Sequence, residues 1–532
     1  VQVGDQIAYV AAYYVSEGEF EDESNTNLST PINLSSERNG DSVTLSWDAP
    51  TDGQTPQDSL TYNLRVGTTP GGSDIMDATS QEAGNVGANT SWTFDDLPLG
   101  TYYWTVQTLG DALANSDFAD EQNFMFEPRT TIDEAIFAIG EEVKVNTYTF
   151  RNQRRSSVTG LSDGGFVVTW ESEAQDGSSY GIYGQRYDSD GNQVGTEFQV
   201  NTYRTDGQFH PSATSLPDGG FVITWSSFGQ DGSESFGNLS SSSVYGQRYD
   251  SQGNRVGTEF QINTHTDDRQ WFPSVTGLSN GGFAVTWMSW FQYGVSSNLF
   301  STIHSQLYDS QGMPVGSEFR VDTGAEGSQT QPSIIGLVDG GFIIVWSDFT
   351  ADGSSSTIQG QLYDAQGNLK GSNFQVNTHM TTVDSPSVTA LPDGGFVVAW
   401  ESWHQDGSGS GVYAQRYDST GNQIGSEFQV NTYTENNQNR PSVTALSNGG
   451  FLITWASHLQ NGSGYDVYAQ AYDEHGSPVG SEFRITTDTE NNTTYPSVSG
   501  LENENLIVTW TSTNKNNQST DIYGQVLGTN ID

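Results

Sequence analysis

The stretch Ser156–Thr202 reads SSVTGLSDGGFVVTWESEAQDGSSYGIYGQRYDSDGNQVGTEFQVNT, and variants of it recur to the end of the chain. Each copy has one tryptophan that ends an apolar run, and successive tryptophans lie 54 to 62 residues apart. A repeat of this length is typical of architectures in which one supersecondary unit recurs. The tryptophans that mark the copies are Trp170, Trp225, Trp287, Trp346, Trp400, Trp455 and Trp510.

Each copy predicts four short strands separated by turns. The first strand, SVTGL, ends at a Gly-Gly pair (Gly164 and Gly165), where a positive φ carries no steric penalty. The second, FVVTW, is a continuous apolar run, as in strands buried on both faces. GIYGQRYD and EFQVNT follow, with a tight turn at Gly191 between them. Because such a unit is too small to bury its own faces, the repeat predicts the blades of a seven-bladed β-propeller.

The two ends of the repeat region predict how the ring closes. The last copy ends at GQVLGTNID, before a fourth strand. The missing strand is found at the other end, since Val143–Thr147 (VKVNT) matches FQVNT but precedes the first copy. We therefore expect this N-terminal strand to complete the last blade. The sequence predicts an all-β fold with a propeller over 143–532.

Residues 31–128 lack the repeat and predict a separate domain. Trp47 ends a second strand, Tyr62 and Leu64 lie on a third, and Leu97–Tyr102 forms a corner before a later strand. This segment resembles a fibronectin type III domain, whose sandwich has about 100 residues. The resemblance implies a β-sandwich over 31–128, joined to the propeller by a linker at 129–142.

Residues 1–30 are too few for a domain. The phrase VGDQIAYVAAYYVSEGEFEDES resembles the last hairpin of an immunoglobulin-like module of large bacterial extracellular proteins. A lone hairpin is marginally stable in water. We expect it to pack on the next domain, or to add a strand to another molecule and so assemble a filament. The residues expected to mediate that assembly are Ile7, Tyr9, Val10, Tyr13, Tyr14 and Val15.

The repeat region also has a family resemblance. The phrases QVNT, DGGFVVTW and YGQRYD recur together at one blade length. In this the region resembles repeats of large secreted or surface proteins of bacteria, often found beside calcium-binding nonapeptide repeats. The resemblance implies a secreted, extracellular or cell-surface location and a multidomain parent protein.

Composition excludes several classes of partner. The chain has 65 Asp and Glu against 18 Lys and Arg, a net charge of -47. This charge repels nucleic acid, which binds basic surfaces. No apolar run approaches the roughly 20 residues that span a bilayer, so membrane insertion is not expected. Without cysteine, the chain has neither disulfides nor thiolate metal sites.

The loops after the second strand of each copy differ most, and they predict a binding rim. Aromatic residues or histidine recur three positions beyond the repeat tryptophan, where the strand runs into that rim. Such rings beside Asn, Gln and Asp suit the apolar face of a sugar; the alternative is that they cap the packing between blades. The candidate rim residues are Phe228, Trp290, Phe291, Tyr293, Phe349, Trp403, His404 and His458.

Acidic turns offer weak candidate calcium ligands. Calcium takes six to eight oxygen ligands, whereas each loop supplies one or two carboxylates. Asp-Gly sequences are also common turn formers, and this is the alternative interpretation. Calcium is the only cofactor that these residues suggest. The candidates are Asp176, Asp231, Asp352, Asp406, Asp188 and Asp190.

The search for catalytic motifs is mostly negative. The histidines are scattered, and there is no phosphate loop, Ser-His-Asp pattern or HExxH motif. We therefore expect no enzyme, but a non-enzymatic extracellular module that contacts surface glycans or matrix components. One alternative is a structural subunit of an extracellular filament or sheath. A second is a propeller hydrolase or lyase acting on polysaccharide, which requires an acidic pair converging in the central channel.

Overall fold

A computed structural model of the protein describes residues 28–39, 42–50, 60–78, 84–95, 97, 100–110, 115–126, 136–232, 241–266, 269–290, 300–322, 327–379, 381–487, 491–514 and 519–529. They form two compact units, 28–126 and 136–529, and their regular structure is entirely β-strand. Within these ranges no helix could cross a membrane. The predicted assembly residues Ile7, Tyr9, Val10, Tyr13, Tyr14 and Val15 lie outside them.

The first unit is built from two antiparallel sheets. One has the order β1-β2-β4; in the other, β5 pairs with β3, β6 and β7. Trp47 and Tyr62, which the sequence placed on adjacent strands, meet edge to face at 5.7 Å in the core. The fibronectin type III assignment stays a prediction. The strands are β1 (Ile32–Asn39), β2 (Ser42–Asp48), β3 (Thr61–Gly67), β4 (Ser91–Asp95), β5 (Gly100–Leu109), β6 (Asn115–Phe118) and β7 (Gln122–Phe126).

The second unit consists, in its described residues, of seven four-stranded antiparallel sheets. Its strands are β8 (Ile136–Lys144), β9 (Gln153–Gly160), β10 (Phe166–Glu173), β11 (Tyr180–Tyr187), β12 (Gln193–Gln199), β13 (Gln208–Ser215), β14 (Phe221–Phe228), β15 (Ser242–Tyr249), β16 (Arg255–Gln261), β17 (Gln270–Gly277), β18 (Phe283–Trp290), β19 (Ser301–Tyr308), β20 (Pro314–Arg320), β21 (Gln329–Gly336), β22 (Phe342–Phe349), β23 (Ser356–Tyr363), β24 (Leu369–Gln375), β25 (Val383–Ala390), β26 (Phe396–Trp403), β27 (Ser410–Tyr417), β28 (Gln423–Gln429), β29 (Gln438–Ala445), β30 (Phe451–His458), β31 (Tyr465–Tyr472), β32 (Pro478–Arg484), β33 (Asn492–Gly500), β34 (Leu506–Thr513) and β35 (Thr520–Thr529).

The sheets are arranged in a closed ring. The first strand of each sheet contacts the first strand of the next, and β33 returns to contact β9. These first strands are therefore the innermost, and the sheets are blades one to seven in the order of their first strands. The predicted β-propeller is confirmed.

Packing between blades explains the apolar second strand. The residues of β10, from Phe166 to Ser172, are buried on both faces, whereas the fourth strand, β12, is half-buried or exposed. The repeat tryptophan fills the space between neighbouring blades. In blade five, for example, Trp400 packs with Ile343 and Val345 of blade four. The repeat tryptophans are at most 1 % exposed, so each blade buries the face of its neighbour.

Strand β8 completes the seventh blade by pairing with β35, as the sequence predicts. The strand begins at Ile136, however, so the predicted linker at 129–142 is wrong over its last residues. The sequence Ile139-Gly140 corresponds to Val194-Gly195 of blade one, and the two glycines have φ of 72° and 73°. The fourth strand of a blade thus includes a glycine with positive φ before the FQVNT motif. The match to FQVNT alone therefore placed the start of β8 too late.

Asn146 fastens this strand. Its Oδ1 accepts a hydrogen bond from the Ile522 backbone N–H at 2.7 Å, and its Nδ2 donates to Asp521 Oδ1 at 2.8 Å. Asn431 makes the corresponding bond in blade five, accepting from the Val412 N–H at 2.7 Å. The difference lies in the connection, because β28 follows β27 through a tight turn, whereas β8 reaches β35 only after the whole ring.

We predict that Asn146→Ala and Asn431→Ala each lower the free energy of unfolding by about 1–3 kcal/mol, because each leaves a buried backbone N–H unpaired. Asn146→Ala is expected to accelerate amide hydrogen exchange along β35, since β8 has no short turn to hold it in place. Asn431→Ala is expected to leave exchange along β27 unchanged, because a tight turn holds β28 against that strand. Hydrogen exchange with mass spectrometry measures this difference. Equal local exchange at the two sites would contradict the role given to Asn146.

Candidate functional site

A cavity of about 440 Å³ lies on the axis of the ring. It opens on the face where the inner strands begin and the second strands end, which is the predicted binding rim. Its lining comes from equivalent positions of all seven inner strands, beginning with Arg155 and Ser156 in blade one. The cavity is thus built by the repeat itself rather than by an insertion.

A β-bulge in each inner strand aims one side chain at this cavity. The bulge interrupts the pairing of the inner strand with the second strand in every blade. The residue concerned has φ between 50° and 55°, a conformation that costs a non-glycine residue about 1–3 kcal/mol. Bulges often occur beside active sites, where they redirect side chains. The seven residues, which we call the bulge ring, are Arg155, His210, Phe272, Gln331, Ser385, Arg440 and Tyr495.

His210 and Phe272, which line the cavity, belong to a cluster of rings. Trp271 lies 4.7 Å from His210 and 5.7 Å from Phe209, measured between ring centroids. Phe272 lies 4.2 Å from His210, and Phe228 lies 5.1 Å from Trp271. Blades two and three therefore share a continuous cluster of rings, of which His210 and Phe272 reach the cavity.

Two arginines that line the cavity are engaged with neighbouring side chains. Arg155 Nη1 donates to His210 Nε2 at 2.7 Å and lies 3.6 Å from the Glu171 carboxylate. Arg440 stacks on the Tyr495 ring at 3.7 Å. Burial and the charge of Arg155 hold the pKa of His210 well below its usual range, so its imidazole is neutral.

Blade five holds a pair of buried carboxyl groups that bond to residues lining the cavity. Asp384 and Glu401 are directly opposite in the register of β25 and β26. Asp384 accepts hydrogen bonds from Gln331 Nε2 at 3.2 Å and from Ser347 Oγ at 3.0 Å. Glu401 is 7 % exposed and accepts a hydrogen bond from the backbone of Arg440. Both carboxyl groups are thereby tied to residues that line the cavity.

Their surroundings favour a proton on this pair. Burial raises the pKa of Glu401 to about 7, and the charge of Asp384 adds to the increase. Burial also raises the pKa of Asp384. A buried carboxyl with a raised pKa and a second carboxyl nearby is characteristic of acid–base sites.

The equivalent positions of blade one show that the repeat does not require two carboxyl groups here. Glu171 occupies the position of Glu401, and its Oε1 accepts from the backbone N–H of His210 in the next blade at 2.9 Å. The residue opposite it is Arg154, whose Nε donates to Glu171 Oε2 at 2.8 Å. The same backbone thus holds a neutralised carboxylate in blade one and an acidic pair in blade five.

The predicted rim residues that the structure describes lie at the ends of the second strands of their blades and differ in exposure. Phe228, Trp290, Phe349 and His458 are half-buried, and His458 stacks on Tyr465 at 4.5 Å. Trp403 is 42 % exposed, and His404 beside it is exposed. Phe291 and Tyr293 lie outside the described residues. Inter-blade packing, the alternative interpretation, accounts for Phe228.

The sequence analysis missed both the bulge ring and the carboxyl pair. One signal was present: the residue before the repeated Pro-Ser changes from blade to blade, as in His210, Phe272 and Gln331, while Pro-Ser itself is repeated. Variation at one position of an otherwise constant repeat indicates a site whose chemistry differs from blade to blade.

The candidate calcium ligands serve turns. Asp188 Oδ1 accepts from the backbone N–H groups of Asp190 and Asn192, at 3.0 and 2.8 Å. The remaining four each accept a hydrogen bond in their own blade, Asp176 and Asp406 from Ser178 and Ser408, Asp231 from Ser243, and Asp352 from Ser354. No group of three or more acidic or histidine side chains that could hold a metal occurs in the described part of the chain. Calcium binding stays a prediction.

Comparison with known proteins finds structural similarity without sequence similarity. No sequence family matches the chain, and no curated protein matches it. A protein of unknown function from Dyadobacter fermentans is similar in structure, with 11 % identity and a TM-score of 0.48 over 74 % of this chain and 99 % of that one. A variant of the NanB sialidase from Streptococcus pneumoniae has 9 % identity and a TM-score of 0.41 over 92 % and 95 %. An α-L-arabinofuranosidase from Fusarium graminearum has 11 % identity and a TM-score of 0.42 over 74 % and 97 %.

These findings correct the predicted function. The expectation of a non-enzymatic adhesion module, and the prediction that the chain is no enzyme, conflict with similar structures that are named as a sialidase and an arabinofuranosidase. The alternative prediction, a propeller hydrolase or lyase, requires an acidic pair in the central channel. Asp384 and Glu401 form a buried acidic pair that bonds to Gln331 and Arg440, two residues that line the axial cavity.

We predict that Glu401→Gln makes the protein relatively more stable as the pH rises. A carboxyl whose folded-state pKa is raised contributes its full stability below the unfolded value near 4.5, and loses it as the pH passes about 7. The difference in unfolding free energy between variant and wild type is expected to shift by about 3 kcal/mol between pH 4 and pH 8. Urea unfolding across this range measures it, and a pH-independent difference would show that Glu401 titrates normally.

Proposed function

We propose that the chain is a propeller hydrolase that cleaves glycosidic bonds of a polysaccharide in the axial cavity. The observation that carries this proposal is the buried carboxyl pair Asp384–Glu401, which bonds to residues that line that cavity. Hydrolysis of a glycoside typically requires two carboxyl groups, one protonated and one ionised. A secreted or cell-surface location is part of the same proposal.

Glu401 is the general acid. With a pKa of about 7, roughly half of the Glu401 side chains carry a proton at neutral pH, and the protonated form gives that proton to the leaving glycosidic oxygen as the bond to the anomeric carbon breaks. The Arg440 backbone N–H then stabilises the carboxylate that forms. Asp384 is the second carboxylate, as nucleophile or as the base that takes a proton from water. The anomeric configuration of the first product distinguishes these two roles.

The rest of the cavity suits a sugar. The ring of Phe272, which lines the cavity, offers a flat apolar surface to the C–H face of a sugar ring. Gln331, Ser385 and Tyr495 add amide and hydroxyl groups to the lining of the same cavity. Apolar surface beside a few convergent polar groups is typical of a small-ligand site.

We predict that Glu401→Gln and Asp384→Asn each reduce kcat at least 100-fold on any glycan that the wild type cleaves, because acid–base catalysis contributes 10²- to 10⁴-fold. Wild-type activity is expected to fall as the pH rises above about 7, where Glu401 loses its proton. Release of reducing ends from soluble arabinan, xylan, β-glucan and polygalacturonate measures both effects.

Asp348→Asn is the matched control. Asp348 is also a carboxyl whose pKa is raised by burial, but it bonds to Gln329, which does not line the cavity. The activity of the Asp348→Asn variant is expected to stay within about twofold of wild type, because the substitution does not alter the cavity. If the wild type releases no reducing ends, or if the Asp348 variant loses as much activity as the Glu401 variant, the proposal is wrong.

A further inference from the structure

Trp403 stands out among the aromatic residues of the rim. It lies two residues beyond Glu401 on β26, and residues two apart on a strand point to the same face. At 42 % exposed, its indole leaves a large apolar surface open to solvent. The chain therefore places an exposed aromatic ring on the same strand face as Glu401, at the rim end of β26.

Phe228 and Trp290, the equivalent residues of blades two and three, are more deeply packed. Phe228 packs against Phe209 at 5.6 Å and Trp271 at 5.1 Å. Trp290 contacts the core between blades three and four. Trp403 has His404 as its aromatic neighbour, with ring centroids 6.2 Å apart in an edge-to-face arrangement. Structural packing thus accounts for Phe228 and Trp290 but leaves much of the Trp403 ring uncovered.

The net negative charge of the chain favours an uncharged ligand over an anionic one. With a net charge of -47, the chain repels polyanions such as uronic-acid polymers. The cavity arginines do not offset this, since Arg155 is bonded to His210 and close to Glu171, and Arg440 stacks on Tyr495. An uncharged sugar chain meets neither a repulsive field nor the need for a free cation.

We propose that Trp403 is an outer subsite at which a neutral polysaccharide, held at the carboxyl pair by one sugar unit, stacks a further unit as it leaves the cavity. This rests on the proposed function and adds to it the substrate class and a residue that selects for chain length. Sugar stacking on an aromatic face is short-ranged, so Trp403 contributes to substrates that extend beyond the cavity and not to a single sugar unit.

The test separates binding from cleavage. Binding to soluble arabinan, xylan and β-glucan is measured by affinity electrophoresis in the inactive Glu401→Gln background, and cleavage is measured in the active chain. Trp403→Ala is expected to weaken binding and to lower kcat/KM on the polymer about three- to tenfold, while activity on a short aryl glycoside stays within about twofold. Trp403→Phe is expected to restore most of the loss.

Phe150→Ala is the matched control, because Phe150 is a 64 % exposed aromatic residue on the same rim, in the loop before β9. Equal effects of the Phe150 and Trp403 variants, or equal losses on polymer and aryl glycoside, would overturn the subsite. Preferential binding or cleavage of polygalacturonate would overturn the neutral substrate. Neutral-glycan binding that depends on Trp403, without cleavage by the active chain, would refute the hydrolase and leave the binding surface in place.

Discussion

The ring depends on a hydrogen bond that the repeat makes at its centre. In six of the seven inner strands that the structure describes, a serine accepts a bond from a backbone N–H of the next inner strand. Ser157 Oγ accepts from Ala213, Ser212 Oγ from Val275, and Ser497 Oγ from Val158 across the closure of the ring, each at 3.2 Å. An inner strand is the edge of its sheet, so these N–H groups have no partner within the blade. The neighbouring hydroxyl satisfies them and sets the height of one blade relative to the next.

This constraint explains where chemistry can vary. The serine directly follows the proline of Pro211-Ser212, and the bulge residue His210 precedes both. Because the serine bond fixes the strand, the residue before it arrives at the same level of the axis in every blade. Its side chain takes no part in the repeated serine bond. The bulge ring can therefore hold arginine, histidine, phenylalanine or tyrosine on one unchanged backbone.

The repeat, the four strands and the closing strand could be predicted from sequence because each has a local signal in turn residues and apolar runs. The bulge could not, because a residue before proline is expected in the extended region rather than at φ near 55°. The carboxyl pair was missed for the same reason. Counting back from the pair Ala390–Phe396 with regular pairing would place Ser385 opposite Glu401, and the bulge shifts that partner to Asp384.

The rim shows a different limit of sequence analysis. The sequence correctly predicted that Phe228, Trp290 and Trp403 lie at one end of their blades, because the position of a residue within the repeat determines where it lies along the strand. Whether a ring is covered depends on its neighbours in adjacent blades. Phe228 is covered by Phe209, on the inner strand of its own blade, and by Trp271, on the inner strand of the next blade and far from it in sequence.

The site also costs stability, and the ring offsets that cost. Each bulge residue is strained, and Glu401 and Asp384 bury acidic groups next to each other. A single blade could not hold these features, because an isolated small sheet is marginal in water. In the closed ring each blade is packed on both sides by tryptophans such as Trp400 and Trp455, which are fully buried. Opening one bulge therefore disturbs two neighbouring interfaces. The same closure that leaves no exposed inner edge allows a strained acidic pair to persist at the axis.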